Sequence, residues 1–379
     1  MHTEFIRFAR EYFDKPRGPL PLHQAHTGRE ELEQLQACLA SGQLSSVGKK
    51  VEEFEQAIAH QQQLPFAVAT QSGTAALHLA LLTSGLQAGD LVITQPFAFV
   101  ASCNAIRYCG ADAIFVDIER QSLGLCPESL LVFLEEETEI KEDDCYHKAS
   151  GKRISHCLPV CTFGHPPQLA YIEQICQQYG LTLIVDAAEA LGSTYRGKPV
   201  SHYGRASVLS FNGNKIITCG GGGMLLTHEK EFATKAHHLS QQARSQQQNR
   251  ITYDDVGYNY RMPALNAALG LGQLSQLDKR LSCLRQLAET YQAFFHQFGQ
   301  EILKEPPLAR SNYWLQTVAF SEPQARDAFV ASMQSQQVDC RPAWTLMPHL
   351  PVYRDCICAD IPNARWAEQH LALLPSLNT

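Results

Sequence analysis

The chain has 379 residues, 45% of them hydrophobic and 18% charged, which is enough apolar material for a large buried core and too much for a disordered chain. Its 31 basic against 38 acidic side chains leave a net charge of −7, the wrong balance for a protein whose main partner is a nucleic acid. No run approaches the roughly 18 consecutive apolar residues of a membrane-spanning helix, so no membrane segment is expected.

In chain order, Met1 to Arg10 carries Glu4, Arg7 and Arg10 and lacks the apolar stretch of a secretory signal. Phe5–Phe13 reads as an amphipathic segment that packs on a partner. The 13 cysteines are odd in number and scattered, which points to reduced thiols in the cytoplasm. From about residue 28 to 240 two periods alternate. Helical spacing marks Glu30–Leu39, Val51–Ala59, Ala75–Leu82, Pro127–Leu134 and Leu169–Gln177. Between them lie short, nearly continuous apolar runs at Phe66–Ala69, Leu91–Thr94, Ala113–Asp117, His156–Val160 and Leu181–Val185, the pattern of strands buried on both faces. The alternation predicts an α/β fold with a mostly parallel sheet flanked by helices.

The polar, mixed-charge residues 138–153 read as a surface excursion. A glutamine-rich stretch, Gln241 to Gln248, then leads into one long helical pattern from Pro263 to about Phe298. A break at Pro307, a strand-like Trp314–Phe320, a helix over Pro323–Gln336 and a proline-rich tail follow. The expected organisation is an N-terminal segment (1–27), a large α/β domain (28–240) and a small α+β domain (241–379).

Three places carry chemistry. Gln71-Ser72-Gly73-Thr74 follows a strand and opens a helix, where free N–H groups and the positive end of the dipole make a phosphate seat; an ordinary Ser72 cap is the simpler alternative. Asp186 ends an apolar strand, where open α/β sheets bind ligands, with Glu189 three residues on; a helix cap by Asp186 is the alternative. Lys215 lies past the strand-like Ser207–Ser210, between small polar residues and the run Gly220 to Gly223. A partly desolvated lysine there is a candidate nucleophilic amine, the alternative being a surface charge. With the aromatic Phe99, these features supply what pyridoxal phosphate requires: phosphate donors, a flat apolar face, a carboxylate for the ring nitrogen and an amine for the aldehyde.

The ordered motifs Ser-Gly-Thr-Ala-Ala-Leu, Val-Asp-Ala-Ala-Glu-Ala, Ser210-Phe-(three residues)-Lys215 and Gly257-Tyr-Asn259-Tyr-Arg261-Met resemble the DegT-type nucleotide-sugar aminotransferases, over about Ser46 to Pro351. The resemblance implies the pyridoxal-phosphate-dependent transferase fold of type I. It implies Lys215 as Schiff-base lysine and proton carrier, Asp186 on the ring nitrogen and Phe99 stacked on the ring. Gly73, Thr74 and Ser210 would hold the phosphate, and Glu189 would sit near the cofactor hydroxyl and the sugar. Asn259 would reach the cofactor phosphate of a neighbouring subunit, which makes the expected unit a homodimer with shared active sites. Arg341 and His349 would approach the substrate, although Pro348 falls where the family usually has its histidine. Relatives with His in place of the lysine are dehydratases, so Lys215 favours transamination.

Within the family, Gly48–Phe54, Ser210–Ile217 and Ser311-Asn-Tyr-Trp314-Leu look like the bacillosamine- and legionaminic-type branch. That branch implies transfer of the amino group of glutamate to C4 of a UDP-linked 4-keto-6-deoxy-N-acetylhexosamine. The alternatives are another keto sugar or a cyclitol as substrate, or a non-catalytic binding protein that kept the fold. His156-Cys157, Cys161 and His165 hold four possible zinc ligands, but their spacing lacks paired knuckles and two of the positions fall in a strand, so no metal is expected. Gly220–Gly223 lacks the Gly-x-Gly-x-x-Gly register of a dinucleotide loop.

Overall fold

The computed structural model describes residues 1–46, 48–247 and 250–377. Its centre is a mixed, mostly parallel sheet in the order Phe66–Thr70, Gly223–Thr227, Ala206–Ser210, Thr182–Asp186, Arg153–Leu158, Leu91–Thr94, Asp112–Phe115 and Ile357–Cys358. The strands foreseen from apolar runs are there because their side chains are covered on both faces. In Leu91–Thr94 all four residues are buried, with Leu91 and Ile93 in one apolar layer and Val92 in the other. Among these eight, one strand runs against the rest. Gly223–Thr227 is antiparallel to both its neighbours, which sets Gly223 beside Thr70 and Ser210 at their C-terminal ends. The glycine run is thereby delivered to the edge of the sheet where ligands bind.

Several expectations change. Residues 138–153 are not a mere excursion: Thr138–Lys141 and Asp144–His147 form a hairpin whose second strand pairs with Arg153–Leu158. The helix Val100–Tyr108 escapes the periodicity because its buried face includes the small polar Ser102 and Cys103. The long pattern after Pro263 is two helices, Ala264–Leu274 and Leu277–His296. The first lies against Arg29–Ser41 and Lys49–Gln61 of the large unit. Gly272 permits that approach, since a Cβ there would stand 2.7 Å from Glu31 Cα.

The smaller unit is an antiparallel sheet in the order Glu301–Ile302, Gln316–Ala319, Leu371–Leu374 and Arg341–Pro342. Leu277–His296 and Pro323–Ser335 bring side chains into the apolar core that it shares. The amphipathic N-terminal segment folds as the helix His2–Tyr12 and packs here, on its own chain. The Phe5 ring lies 5.1 Å from Phe295, 5.5 Å from Phe329 and 5.6 Å from Tyr291. The expected partner is thus the chain's own small unit. From that helix a strap runs to residue 24, fixed by a parallel bridge between Leu20 and Val338 and by Leu22 N–H donating to Asp339 Oδ2 at 3.3 Å. Among the described residues no helix is long and apolar enough to cross a membrane.

Candidate active site

Asp186 ends its strand and is buried. Oδ2 accepts from Ser102 Oγ at 2.6 Å and Oδ1 from Ala188 N–H at 3.1 Å. Residues 188–189 form a turn and no helix, so the helix-cap alternative falls away. Burial pushes the carboxyl above its ordinary range, against the pull of those two hydrogen bonds and of the Lys215 charge. Glu189 is also buried and pushed up by burial first, with Lys215 opposing. Its Oε2 accepts from Phe163 N–H at 2.9 Å and its Oε1 from Lys215 Nζ at 3.2 Å.

Lys215 sits on the loop between Ser210 and the glycine run, closed at its base by Phe211 N–H donating to Gly222 O and Cys219 N–H donating to Phe211 O, both 2.9 Å. The side chain is only 13% exposed, which removes the surface-charge alternative. Nζ stands 3.9 Å from the centroid of the Trp314 ring, and the Trp314 indole N–H donates to Asn214 O at 2.8 Å. At the start of Gly73–Thr83, Ser72 Oγ does cap the helix, accepting from Ala75 N–H at 3.1 Å. The cap leaves the first N–H groups of the helix, at Gly73 and Thr74, without intrahelical partners. A Cβ on Gly73 would lie 2.9 Å from Ser210 Cβ, so only glycine brings the helix start onto Ser210. Cap and anion seat coexist.

A cavity of about 540 Å³ joins these groups. Gly73, Thr74 and Ser210 line it with Asp186, Glu189 and Lys215. Phe99, just before the helix Val100–Tyr108, and Arg341 complete the set. Arg341 is mostly exposed and held by Asp339 through hydrogen bonds of 2.9 and 2.8 Å. Two expected residues lie elsewhere. Asn259 is exposed, bridged to Gln241 and outside the cavity of its own chain. His349, at the end of the helical turn Met347–His349, is likewise outside it, half-exposed, with Nδ1 3.0 Å from Glu368 Oε2. The histidines of the four-ligand stretch are taken up by hydroxyls, His156 by Ser84 Oγ at 2.9 Å and His165 by Ser311 Oγ at 2.8 Å. Among the described residues no three His, Cys, Asp or Glu side chains gather as a metal set.

Sequence reasoning missed Ser102 and His23, which line the cavity together with Trp344, and noted Trp314 only within a motif and at the start of a strand. His23 is on the N-terminal strap, its ring stacked on Trp314 at 5.2 Å and 8°. Burial, and then the Lys215 charge, lower its pKa to about 4.

The residues present fit pyridoxal phosphate. Asp186 is a buried carboxylate in the cavity wall whose hydrogen-bonding partners are a hydroxyl and one backbone N–H, and a protonated ring nitrogen would supply the cation that burial makes it lack. Lys215 offers a primary amine in the same cavity, and the Gly73–Ser210 contact forms a cradle that any Cβ would fill.

Comparison with known proteins agrees. Residues 25–379 match the DegT/DnrJ/EryC1/StrS aminotransferase family. The chain is 32% identical to a GDP-perosamine synthase of Escherichia coli O157:H7 over 336 residues, 89% of this chain and 87% of that one. It is 32% identical over 333 residues to the putative pyridoxal phosphate-dependent aminotransferase EpsN of Bacillus subtilis, covering 88% and 83% of the two chains. Its fold matches the putative sugar aminotransferase Spr1654 of Streptococcus pneumoniae, solved in a PMP form, with a TM-score of 0.85 at 20% identity over 95% and 93% of the chains. This chain therefore belongs to the DegT/DnrJ/EryC1/StrS family and is a pyridoxal-phosphate-dependent aminotransferase.

Proposed function

We propose that the enzyme moves the amino group of L-glutamate to C4 of a UDP-linked 4-keto-6-deoxy-N-acetylhexosamine, in the cytoplasm on a route to bacterial surface sugars. The observation that carries the reading is Lys215 Nζ, held 3.2 Å from the Glu189 carboxylate in the cavity that Asp186 also lines. When bound, the cofactor stores the amino group and acts as electron sink. The chain's own residues do the rest. Lys215 Nζ takes the proton from the amino donor's carbon and returns one to the sugar carbon. Asp186 keeps a ring nitrogen protonated. Gly73, Thr74 and Ser210 hold a phosphate, and Phe99 covers one ring face. Arg341 meets an anionic substrate group, a role supported by its place in the cavity lining beside Asp339.

The nucleotide sugar is supported by a relative named for a GDP-linked amino sugar. UDP and the N-acetyl group rest on the motifs at Gly48–Phe54, Ser210–Ile217 and Ser311–Leu315. GDP as carrier is the second reading, favoured by that same relative. Asn259, exposed and not among the residues that line its own cavity, fits a homodimer in which it completes the partner's site. The test is mass spectrometry of the products formed from UDP- and GDP-linked 4-keto-6-deoxy sugars with ¹⁵N-glutamate. A labelled amino sugar from the UDP substrate supports the proposal. Label only in the GDP product moves the assignment to the second reading, and label in neither rejects both.

A further inference from the structure

The amine of Lys215 is held from two sides, and both sides hang on one buried side chain. Glu189 Oε1 lies on one side at 3.2 Å and the Trp314 ring on another at 3.9 Å. Asn312 ties the two together: its Nδ2 donates to Glu189 O at 2.8 Å and to Leu191 O at 3.0 Å, while its Oδ1 accepts from Trp314 N–H at 2.9 Å. The indole N–H of Trp314 reaches the residue before the lysine, donating to Asn214 O at 2.8 Å. Trp314 thus touches both ends of Lys215, its backbone neighbour and its amine, although it comes from beside the strand Gln316–Ala319 of the smaller sheet.

Something also holds Trp314. The His23 ring is nearly parallel to it, and Nε2 of that buried imidazole has no hydrogen-bond partner. A buried ring nitrogen without a partner is a cost, so His23 is not placed here for its hydrogen bonding alone. Its strap is pinned to the smaller unit by Leu22 N–H on Asp339 and by Ser376 N–H donating to Leu22 O at 2.8 Å.

We propose that Trp314 is a positioning residue for Lys215, holding the lysine loop through its indole N–H and the amine through its ring face, and that His23 fixes the plane of that ring. The inference rests on the enzyme being a pyridoxal-phosphate-dependent aminotransferase and is independent of donor and sugar. A cation is favoured over an indole face, so the protonated form of the nitrogen at Nζ gains from Trp314. The titratable and charged groups that face this nitrogen are Glu189, Asp186, His23 and, at the rim, Arg341. All but the substituted residue stay in place in the variants below.

The experiment is a pH titration of the visible absorbance of the pyridoxal-phosphate-loaded enzyme without any substrate, on native protein, Trp314→Leu, Trp314→Phe, His23→Leu and His23→Phe. Trp314→Leu is expected to lower the midpoint by about one pH unit and Trp314→Phe to restore most of it. His23→Leu, which removes the stack, shifts it the same way by less, and His23→Phe, which keeps an aromatic ring there, leaves it at the native value. Equal midpoints in native protein and Trp314→Leu would overturn the proposal. If Trp314→Leu does not fold, the His23 pair decides: a shift in the leucine variant alone supports the inference, and no shift, or equal shifts in both, overturns it. Because no amino donor or sugar enters, a failed assignment of glutamate or UDP leaves this result untouched.

Discussion

The cavity has two walls of different origin. One is made of strand ends: Asp186, Ser210 and the helix start at Gly73 each continue directly from an apolar strand, and their places follow from the register of neighbouring strands. The other is assembled from the strap at Leu22–His23, Trp314 and Arg341, three stretches brought together by hydrogen bonds between residues hundreds of positions apart. In the proposed function the strand-end wall would bind the cofactor's fixed features, and it needs only sheet geometry. The assembled wall is held by single contacts, and two residues with left-handed backbone lie near it. Phe163 and Tyr313 both adopt φ near +54°, a left-handed conformation that costs a non-glycine residue about 1 kcal/mol and that these contacts must sustain.

That contrast can be broken from either side. The largest effect is expected at the strand-end wall. Asp186→Asn keeps the shape and removes the charge, and kcat for the glutamate half-reaction should fall by on the order of 10²–10³, while the denaturation midpoint changes little. A variant within fivefold of native would mean that Asp186 is not the ring-nitrogen partner. At the root of the assembled wall, Phe5→Ala removes a fully buried ring from the core of the smaller unit. Urea unfolding should show a loss of about 3 kcal/mol, with a higher KM for the sugar because the strap loosens, and no change in cofactor affinity.

Acid should weaken the assembled wall gradually. His23 and His165 have pKa values lowered to about 4 and about 3 by burial, below the ordinary 6.5 of the unfolded chain. The unfolded state therefore binds more protons than the folded one across that window. Stability is fully present above about pH 6.5 and is lost as pH falls towards 4, by roughly 1 kcal/mol per pH unit for each histidine. His165→Gln, measured by denaturation at pH 7 and pH 5, should flatten that slope. The smallest effect is expected at His349. Half-exposed and paired with Glu368 outside the cavity, it should tolerate alanine with kcat/KM within about twofold of native. A tenfold loss would return it to the substrate-binding set.

The same division explains what could be read in the sequence. Phe66–Thr70, Leu91–Thr94 and Thr182–Asp186 are continuous apolar runs because the sheet is covered on both faces, and the polar residue that ends each run marks the ligand-binding edge. Lys215 was legible through the glycine run that follows it, of which Gly223 is required for the approach of the strand Gly223–Thr227 to Ser72. His23 was not legible. Its stretch, Pro-Leu-His-Gln, has no periodicity, and its place depends on pairing with residues 338, 339 and 376. Trp314 appeared in the sequence as part of a motif, but nothing local says that its ring lies over a lysine about a hundred positions earlier. The split helix after Pro263 was hidden for a related reason: helical periodicity runs on through residues 275–276, while tertiary packing sends its two halves to different units.

Whether Lys215 and Asp186 form a transaminating centre can be read directly from absorbance. The purified enzyme is mixed with pyridoxal phosphate, and its spectrum is taken before and after L-glutamate, alongside Lys215→Ala. A visible band is expected in the native protein that glutamate bleaches towards the amino form of the cofactor, and no such lysine-bound band in the variant. The same band in Lys215→Ala, or no band in the native protein, would contradict it.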